Sequence, residues 1–473
     1  LRLLCRTAPM NDIIFTNVRL DPDTYYVFYV GEMKAYGLNE FVHQAIGRHT
    51  ERKTRIISIV SDVLEDYPHD NIIVINPEAF AQGITARSRV SMRIPITRFA
   101  RHVSANAFVR ETASSILQSQ DELYVWMFES KPEFTLTRIP GVRLLGPDPL
   151  LAAKFNNKIW QYNTFRGHIP IPDYQICHGA TQLAELTARL RPEWADGIFV
   201  SLEYSAAGMG SMVTRTQEDV TGRFTDEEAY CFVSRYMIHD YDPTVLAVVA
   251  NEDDVFVAGV ADQRIENGNA FRGSTFPSVL DVRVQEELCE HTRTVGRLLG
   301  KRGYRGIFGC DFIVTPDGRP FFIEANTRKQ GTTMEFCCAM ENLLPEGSPN
   351  LLELEYFAVT RNRFPENTPA SPECLDASCG CKLHWGTYNN KVDHSIRTAH
   401  NIYQTMGERD LFRRAASGGS GGHLILEHVG TDMIVKPGTF LGRVVAVDSS
   451  RRRMLERLRQ GEEQLMRSVR AEA

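Results

Sequence analysis

Long apolar runs are missing from this chain: no stretch of its 473 residues approaches the roughly 20 needed to cross a bilayer, so no membrane partner is expected. An excess of charge is missing too. With 53 Lys and Arg against 59 Asp and Glu, the formal charge is −6, and nothing in that balance favours nucleic acid or an anionic membrane surface. Cysteine is sparse. Ten cysteines in a chain of this length are too few for a disulfide scaffold, and a cytoplasmic location is expected. Cys374, Cys379 and Cys381, followed by His384, lack the paired C-x2-C spacing of structural zinc sites, so a plain loop is expected there. The opening Leu1-Arg2-Leu3-Leu4-Cys5-Arg6 is too short and interrupted for a secretory signal, and Met10 is the expected natural start.

What is present is an ordinary globular composition, 43% hydrophobic and 24% charged, in a chain too long for one core. The apolar runs Tyr25–Val30, Arg55–Val60, Ile72–Ile75 and Leu123–Met127 alternate with helical stretches such as Leu38–His49. Buried strands alternating with helices predict a parallel α/β sheet, closed by the hinge Gly146-Pro147-Asp148-Pro149. Further along, Lys154–Phe165 reads as helix, Gly197–Leu202 and Ser211–Thr214 as strands around a glycine loop, and Val245–Ala250 and Val255–Val260 as two more strands. A helix over Val284–Gly300 precedes a hairpin over Gly306–Asn326. Towards the C-terminus we expect a helix near Ser395–Met406, the flexible loop Ser417–Gly422, two short strands and a charged helix from Ser450.

The hairpin carries the chemistry. Its β-rich arms flank Pro316-Asp317-Gly318, a strong turn signal. With Asp317-Gly318 as the loop, Pro316 faces Arg319 and Asp311 lies directly opposite Glu324. A four-residue loop centred there has the same register. Opposed residues share a face with Cβ atoms about 4.5–5.5 Å apart, and alternation adds Asn326 to that face. Two facing carboxylates repel unless something offsets them. A divalent cation is the natural remedy, and two carboxylates with an amide carbonyl suit Mg²⁺ held against nucleotide phosphates. Taken singly, each residue reads as an ordinary polar hairpin position; the matched register favours metal. Arg328, just beyond, would clamp a phosphoryl group or a carboxylate, although alone it reads as a solvated loop arginine.

Asp311…Glu324-Ala-Asn326-Thr-Arg328 resembles the metal-binding signature of the ATP-grasp superfamily. The resemblance implies an ATP-grasp fold over roughly 150–345, with a lid subdomain about 150–232 and a metal and nucleotide subdomain about 233–345. Its cofactors would be ATP and Mg²⁺. By the same resemblance Lys158 contacts ATP, Ser205-Ala-Ala-Gly208-Met-Gly210 forms the mobile loop over the phosphates, Tyr236-Met237 offers backbone to adenine, and Asp242 or Asp240 meets the ribose. Read alone, the glycine loop is a plain hairpin loop and the two acids are loop acids. The superfamily's second lysine is absent from Phe199-Val-Ser201-Leu-Glu203, so that either another cation such as Lys158, Arg264 or Arg272 compensates or ATP affinity is altered.

A narrower resemblance covers nearly the whole chain. Asp242-Pro-Thr-Val245, Gly259-Val-Ala-Asp-Gln-Arg264, Phe271-Arg-Gly273 and Gly438-Thr-Phe-Leu-Gly442 are similar to segments of the pheganomycin-type peptide ligases of peptidyl-antibiotic biosynthesis. That resemblance implies a pre-ATP-grasp α/β domain over 10–149 and an additional C-terminal domain over 346–473. It also implies joining the carboxylate of a nonproteinogenic amino acid to the amino terminus of a peptide. Arg264 and Arg272 are candidates for the donor carboxylate, and Glu335 for a cationic substrate group; each reads equally as a surface residue. The rival readings are a carboxylase or single amino-acid ligase on the same scaffold, and a non-catalytic ATP-binding regulatory protein. Oligomeric state stays open, a homodimer included.

Overall fold

The structure, a computed structural model, describes residues 12–64, 67, 69–206, 209–214, 216, 220, 222–266, 270–369, 383–399, 406–426 and 429–471. Among them the chain divides into two compact units: Leu151–Gly331 forms one, and the N-terminal residues through Leu150, Thr332–Pro369 and the C-terminal segment form the other.

The second of these opens with a twisted sheet of β1 (Ile13–Thr16), β2 (Tyr25–Gly31), β3 (Thr54–Val60), β4 (Ile72–Ile75), β6 (Leu123–Met127) and β7 (Val142–Leu145), while β5 (Val90–Ser91) lies elsewhere. The order is β1-β4-β3-β2-β6-β7. All neighbours run parallel except β1, which pairs antiparallel with β4, so the expected parallel α/β sheet is present. Strands buried on both faces must be covered on both. Helices α3 (Ile96–Ala105) and α4 (Ala107–Ile116) place Phe99, Val103, Val109 and Ile116 against Phe28, Ile57, Ile73 and Val125. Helix α1 (Asn39–Thr50) lies against β3; its Asn39 accepts from the indole of Trp126 at 3.1 Å, and that ring stacks on Tyr29. A short α2 (Pro77–Ala81) is capped by Asn76.

The unit Leu151–Gly331 is led by α5 (Pro149–Phe155) and α6 (Lys158–Phe165). The single helix expected over Lys154–Phe165 is therefore interrupted: Asn157 turns extended and its side chain accepts from Trp160 N at 2.9 Å, capping α6. One antiparallel sheet, β10-β9-β11-β8, comprises β8 (Tyr174–His178), β9 (Ile198–Ala206), β10 (Met209–Thr214) and β11 (Tyr230–Arg235), with α7 (Gly179–Leu190) packed on Cys177, Val200 and Val233. The other places β12 (Pro243–Val249), β13 (Val255–Glu266), β14 (Ala270–Phe276), β15 (Gly306–Val314) and β16 (Pro320–Asn326) in the order β16-β15-β12-β13-β14, under α8 (Val282–Gly300).

In the unit of the N-terminal sheet, α9 (Thr333–Leu343) and α10 (Leu351–Arg361) precede β17 (His384–Lys391), β18 (Ile396–Thr398), α11 (Glu408–Ala416), β19 (Gly422–Leu426), β20 (Ile434–Val435), β21 (Phe440–Asp448), α12 (Arg451–Arg467) and β22 (Val469–Ala471). One expectation fails here. Residues 396–398 form a strand paired with β20 and β22, not the start of a helix; the helix of this region begins at Glu408. Cys374, Cys379 and Cys381 lie outside the described residues.

Candidate active site

The β15–β16 hairpin turns through Pro316-Asp317-Gly318. Thr315 N donates to Arg319 O and Val314 faces Pro320, so the loop has three residues, with Gly318 at φ +80°. The pairing of Pro316 with Arg319 is thereby replaced, and every pair down to Phe312–Phe322 is offset by one from expectation. A bulge beside Phe322 then restores the register, and Asp311 faces Glu324 while Gly309 faces Asn326. The bulge is tied down from outside the hairpin: Phe322 N donates to Pro170 O at 2.9 Å, and the ring is fully buried against Phe165 and Phe312.

β16 is an edge strand, so its outer backbone groups need partners. Gln161, on α6, provides them: its amide donates to Ala325 O at 2.7 Å and accepts from Ala325 N at 2.8 Å. That anchor sets Lys158, one turn earlier, in direct contact with Glu324. Thr327 ties the strand end to Ala152 O at 2.8 Å. Replacing Gln161 with leucine should cost about 1–3 kcal/mol for each of the two orphaned Ala325 groups, read by urea unfolding, with metal-dependent nucleotide affinity falling alongside.

The contacts join five of the expected residues into one network. Lys158 meets Glu324, Asn326 Nδ2 donates to Asp311 at 2.8 Å, Arg328 donates to Asn326 Oδ1 at 2.8 Å, and an Asn326 hydrogen bond to Glu324 links the two sets. Burial, with Glu324 next, pushes the Asp311 carboxyl up to about 6 against the pull of Thr244, Arg328 and Asn326. Burial acts on Glu324 the same way, but Lys158 and Arg328 outweigh it and hold that carboxyl below its ordinary value. Three residues enter that sequence reasoning did not single out: Thr244, Gln263 and Gln330 all hydrogen-bond to Asp311 Oδ1. Thr244 and Gln263 sit inside two of the segments that carried the narrower resemblance, and that was their only signal.

The other expected residues make separate local contacts. Arg264 and Arg272 both engage Glu266, at 2.8 and 3.1 Å. Tyr236 N donates to Gly197 O; His239 meets Met237 O at 2.7 Å and Asp242 at 3.2 Å, and the Asp242 hydrogen bond holds the imidazole above its usual value. Gly210 has φ +78°, a conformation suited to glycine. Ser205 closes into β9, and Gly208 lies outside the described residues. Glu335 is fully buried and meets Arg443.

No cluster of three or more His, Cys, Asp or Glu able to gather a metal occurs among the described residues. Asp311, Glu324 and Asn326 supply two carboxylates and an amide, and two opposed carboxylates make a place for positive charge. A donor set this small fits a hard cation that takes its remaining ligands from phosphates and water, as Mg²⁺ does.

Residues 155–332 match the model of the ATP-grasp domain. Over 89 residues the chain is 33% identical to an L-propargylglycine–L-glutamate ligase of Streptantibioticus cattleyicolor, a match covering 19% of this chain and 18% of that protein. Over 300 residues it is 21% identical to a [butirosin acyl-carrier protein]–L-glutamate ligase of Niallia circulans, covering 58% of this chain and 68% of that one. The match thus spans under a fifth of the first relative and about two thirds of the second. The biotin carboxylase domain of Hydrogenobacter thermophilus 2-oxoglutarate carboxylase, solved as a dimer with MgADP and bicarbonate, has a TM-score of 0.65 at 12% identity, over 95% of this chain and 90% of that one. The fold is that of the ATP-grasp enzymes, which use ATP with Mg²⁺. No described helix is long and apolar enough to cross a membrane.

Proposed function

We propose that this chain is an ADP-forming carboxylate–amine ligase that activates a carboxylate as its acyl phosphate and passes it to an amine. The observation that carries the reading is the Asp311–Glu324 pair in register, with Asn326, Lys158 and Arg328 in one contact network. Bound Mg²⁺ would neutralise the β- and γ-phosphates between Asp311, Glu324 and Asn326. Lys158 and Arg328 supply positive charge at the same point: Lys158 for nucleotide phosphate, Arg328 to steady the phosphoryl group against the substrate carboxylate. Attack of the amine on the acyl carbon expels phosphate and leaves an amide, so no side-chain nucleophile is needed. Ser205, Gly208 and Gly210 are assigned to the loop over the phosphates, where it excludes water, and Tyr236, Met237 and Asp242 to adenine and ribose. Arg264 and Arg272, already converging on Glu266, are assigned to the donor carboxylate.

The likeness to glutamate-joining ligases supports an amino-acid donor. The segments resembling pheganomycin-type enzymes support a peptide amine as acceptor, in antibiotic biosynthesis in the cytoplasm. In this reading 10–149, 150–345 and 346–473 are the functional divisions, the last shaping the peptide site. The carboxylase reading draws on the 2-oxoglutarate carboxylase likeness. ADP release with Mg²⁺, pooled amino-acid donors and short peptides separates them. Peptide-dependent release with a new amide in the product establishes the ligase; release that depends on bicarbonate and ignores peptide favours the carboxylase. Nucleotide binding without turnover in any pool sinks both.

A further inference from the structure

We propose that Gln263 and Thr244 are positioning residues that orient Asp311 towards the metal face of the hairpin, an inference that rests on the ligase reading. The sheet register brings them there. Thr244, on β12, pairs with Asp311 on one side and with Ala261 on the other, so all three side chains share a face. Gln263, two residues beyond Ala261 on β13, belongs to that face as well. Its amide reaches across the short threonine and donates to Asp311 Oδ1 at 2.7 Å, where the Thr244 hydroxyl also donates at 2.7 Å.

A third donor completes the group. Gln330 Nε2 approaches the same oxygen at 3.3 Å, and its Oε1 lies 3.2 Å from the Thr244 hydroxyl. Gln330 occupies the space that glycine leaves at 309, where a Cβ would come within 2.1 Å of Gln330 Oε1. Asp311 Oδ2 accepts from Asn326 at 2.8 Å. One carboxylate oxygen thus accepts from neutral donors on β12, β13 and the segment after β16, and the other is turned towards Asn326 and, in register, Glu324. The donors are uncharged, so they fix the carboxylate plane without bringing a rival cation beside it, in contrast to Lys158 at Glu324. Partners of this kind raise the affinity and selectivity of the ligands they hold.

The test is an electron paramagnetic resonance titration of Mn²⁺ into the protein with a non-hydrolysable ATP analogue. Gln263→Leu and Thr244→Val are each expected to weaken Mn²⁺ binding by about tenfold, with nucleotide affinity in EDTA within twofold of wild type. Thr244→Ser keeps the hydroxyl but loses the methyl group; it should retain Mn²⁺ affinity even where its thermal midpoint falls. A purely structural role predicts the reverse ordering of serine and valine, and that ordering overturns the proposal. So do folded Gln263→Leu and Thr244→Val proteins that bind Mn²⁺ as wild type does, and in that case the ligase reading survives. A wild-type protein binding neither nucleotide nor Mn²⁺ overturns both.

Discussion

Glu324→Ala is expected to lower donor-dependent ADP release by at least about a hundredfold, with kcat carrying the loss. The substitution removes one of the two opposed carboxylates and leaves Asp311 to hold a cation with a single amide neighbour. It also strips the buried Lys158 of the carboxylate it touches. Removing one partner of a fully buried ion pair costs about 3–5 kcal/mol, but Glu324 keeps 31% of its side chain exposed. Solvent screening should reduce the stability loss to about 1–3 kcal/mol. Glu324→Gln separates the two effects. It retains shape and a hydrogen-bond acceptor for Lys158, so its stability loss should be smaller while ADP release stays as low as in the alanine variant. A glutamine variant releasing ADP within tenfold of wild type would sink the metal assignment.

Arg443→Met is expected to destabilise the protein by about 3–5 kcal/mol at pH 7.5, read by urea unfolding. Three buried charged groups meet in the unit that holds the N-terminal sheet: Glu335 on α9, Glu408 at the start of α11 and Arg443 on β21. The guanidinium touches Glu335 and lies 3.8 Å from Glu408. One cation between two acids leaves negative charge in excess. Burial pushes the Glu408 carboxyl up to about 8 and draws Arg443 down to about 10. The nearby Cys338 thiol on α9 is raised by burial first and by Glu408 next, so it adds no charge at neutral pH.

The sign of the pH dependence follows from Glu408. Its folded-state value lies above the ordinary 4.5, so the folded chain keeps a proton that the unfolded chain releases. The resulting stabilisation is whole below about pH 4.5 and is lost as pH rises through about 8. Wild-type stability should therefore fall between pH 5 and 8, by up to about 1.4 kcal/mol per pH unit. Glu408→Gln should flatten that slope. In Arg443→Met the acids can neutralise at lower pH, so its deficit should narrow at pH 5. A wild-type profile without slope across this window would contradict the shared-cation account.

Much of this was legible in the residues. The strands of the N-terminal sheet announce themselves because Tyr25–Val30 and Ile72–Ile75 are apolar at every position but need partners on both faces, which only a helix-covered parallel sheet offers. Asp311, Glu324 and Asn326 were legible as a set because the expected register put Asp311 opposite Glu324, a pairing the structure reaches by another route, a three-residue turn followed by a bulge. Residues 396–398 were misread: three residues are too few to show a period, and the strands that claim them come from distant β20 and β22. Glu335 showed only an acid on a helix, since its partner Arg443 lies far along the chain.

The sequence by itself determined which chemistry is available: opposed oxygen ligands on a hairpin, a lysine at a helix start, an arginine beyond the metal strand. Tertiary structure decided whether those groups meet. The three-residue turn alone would have set Asp311 opposite Ile323 and turned Glu324 to the other face, because a one-residue slip inverts a strand. The bulge that prevents this depends on Pro170 taking the Phe322 N–H and on a core that buries the ring. Neither is a local property of the hairpin, since both come from segments that reach it only when the chain is folded.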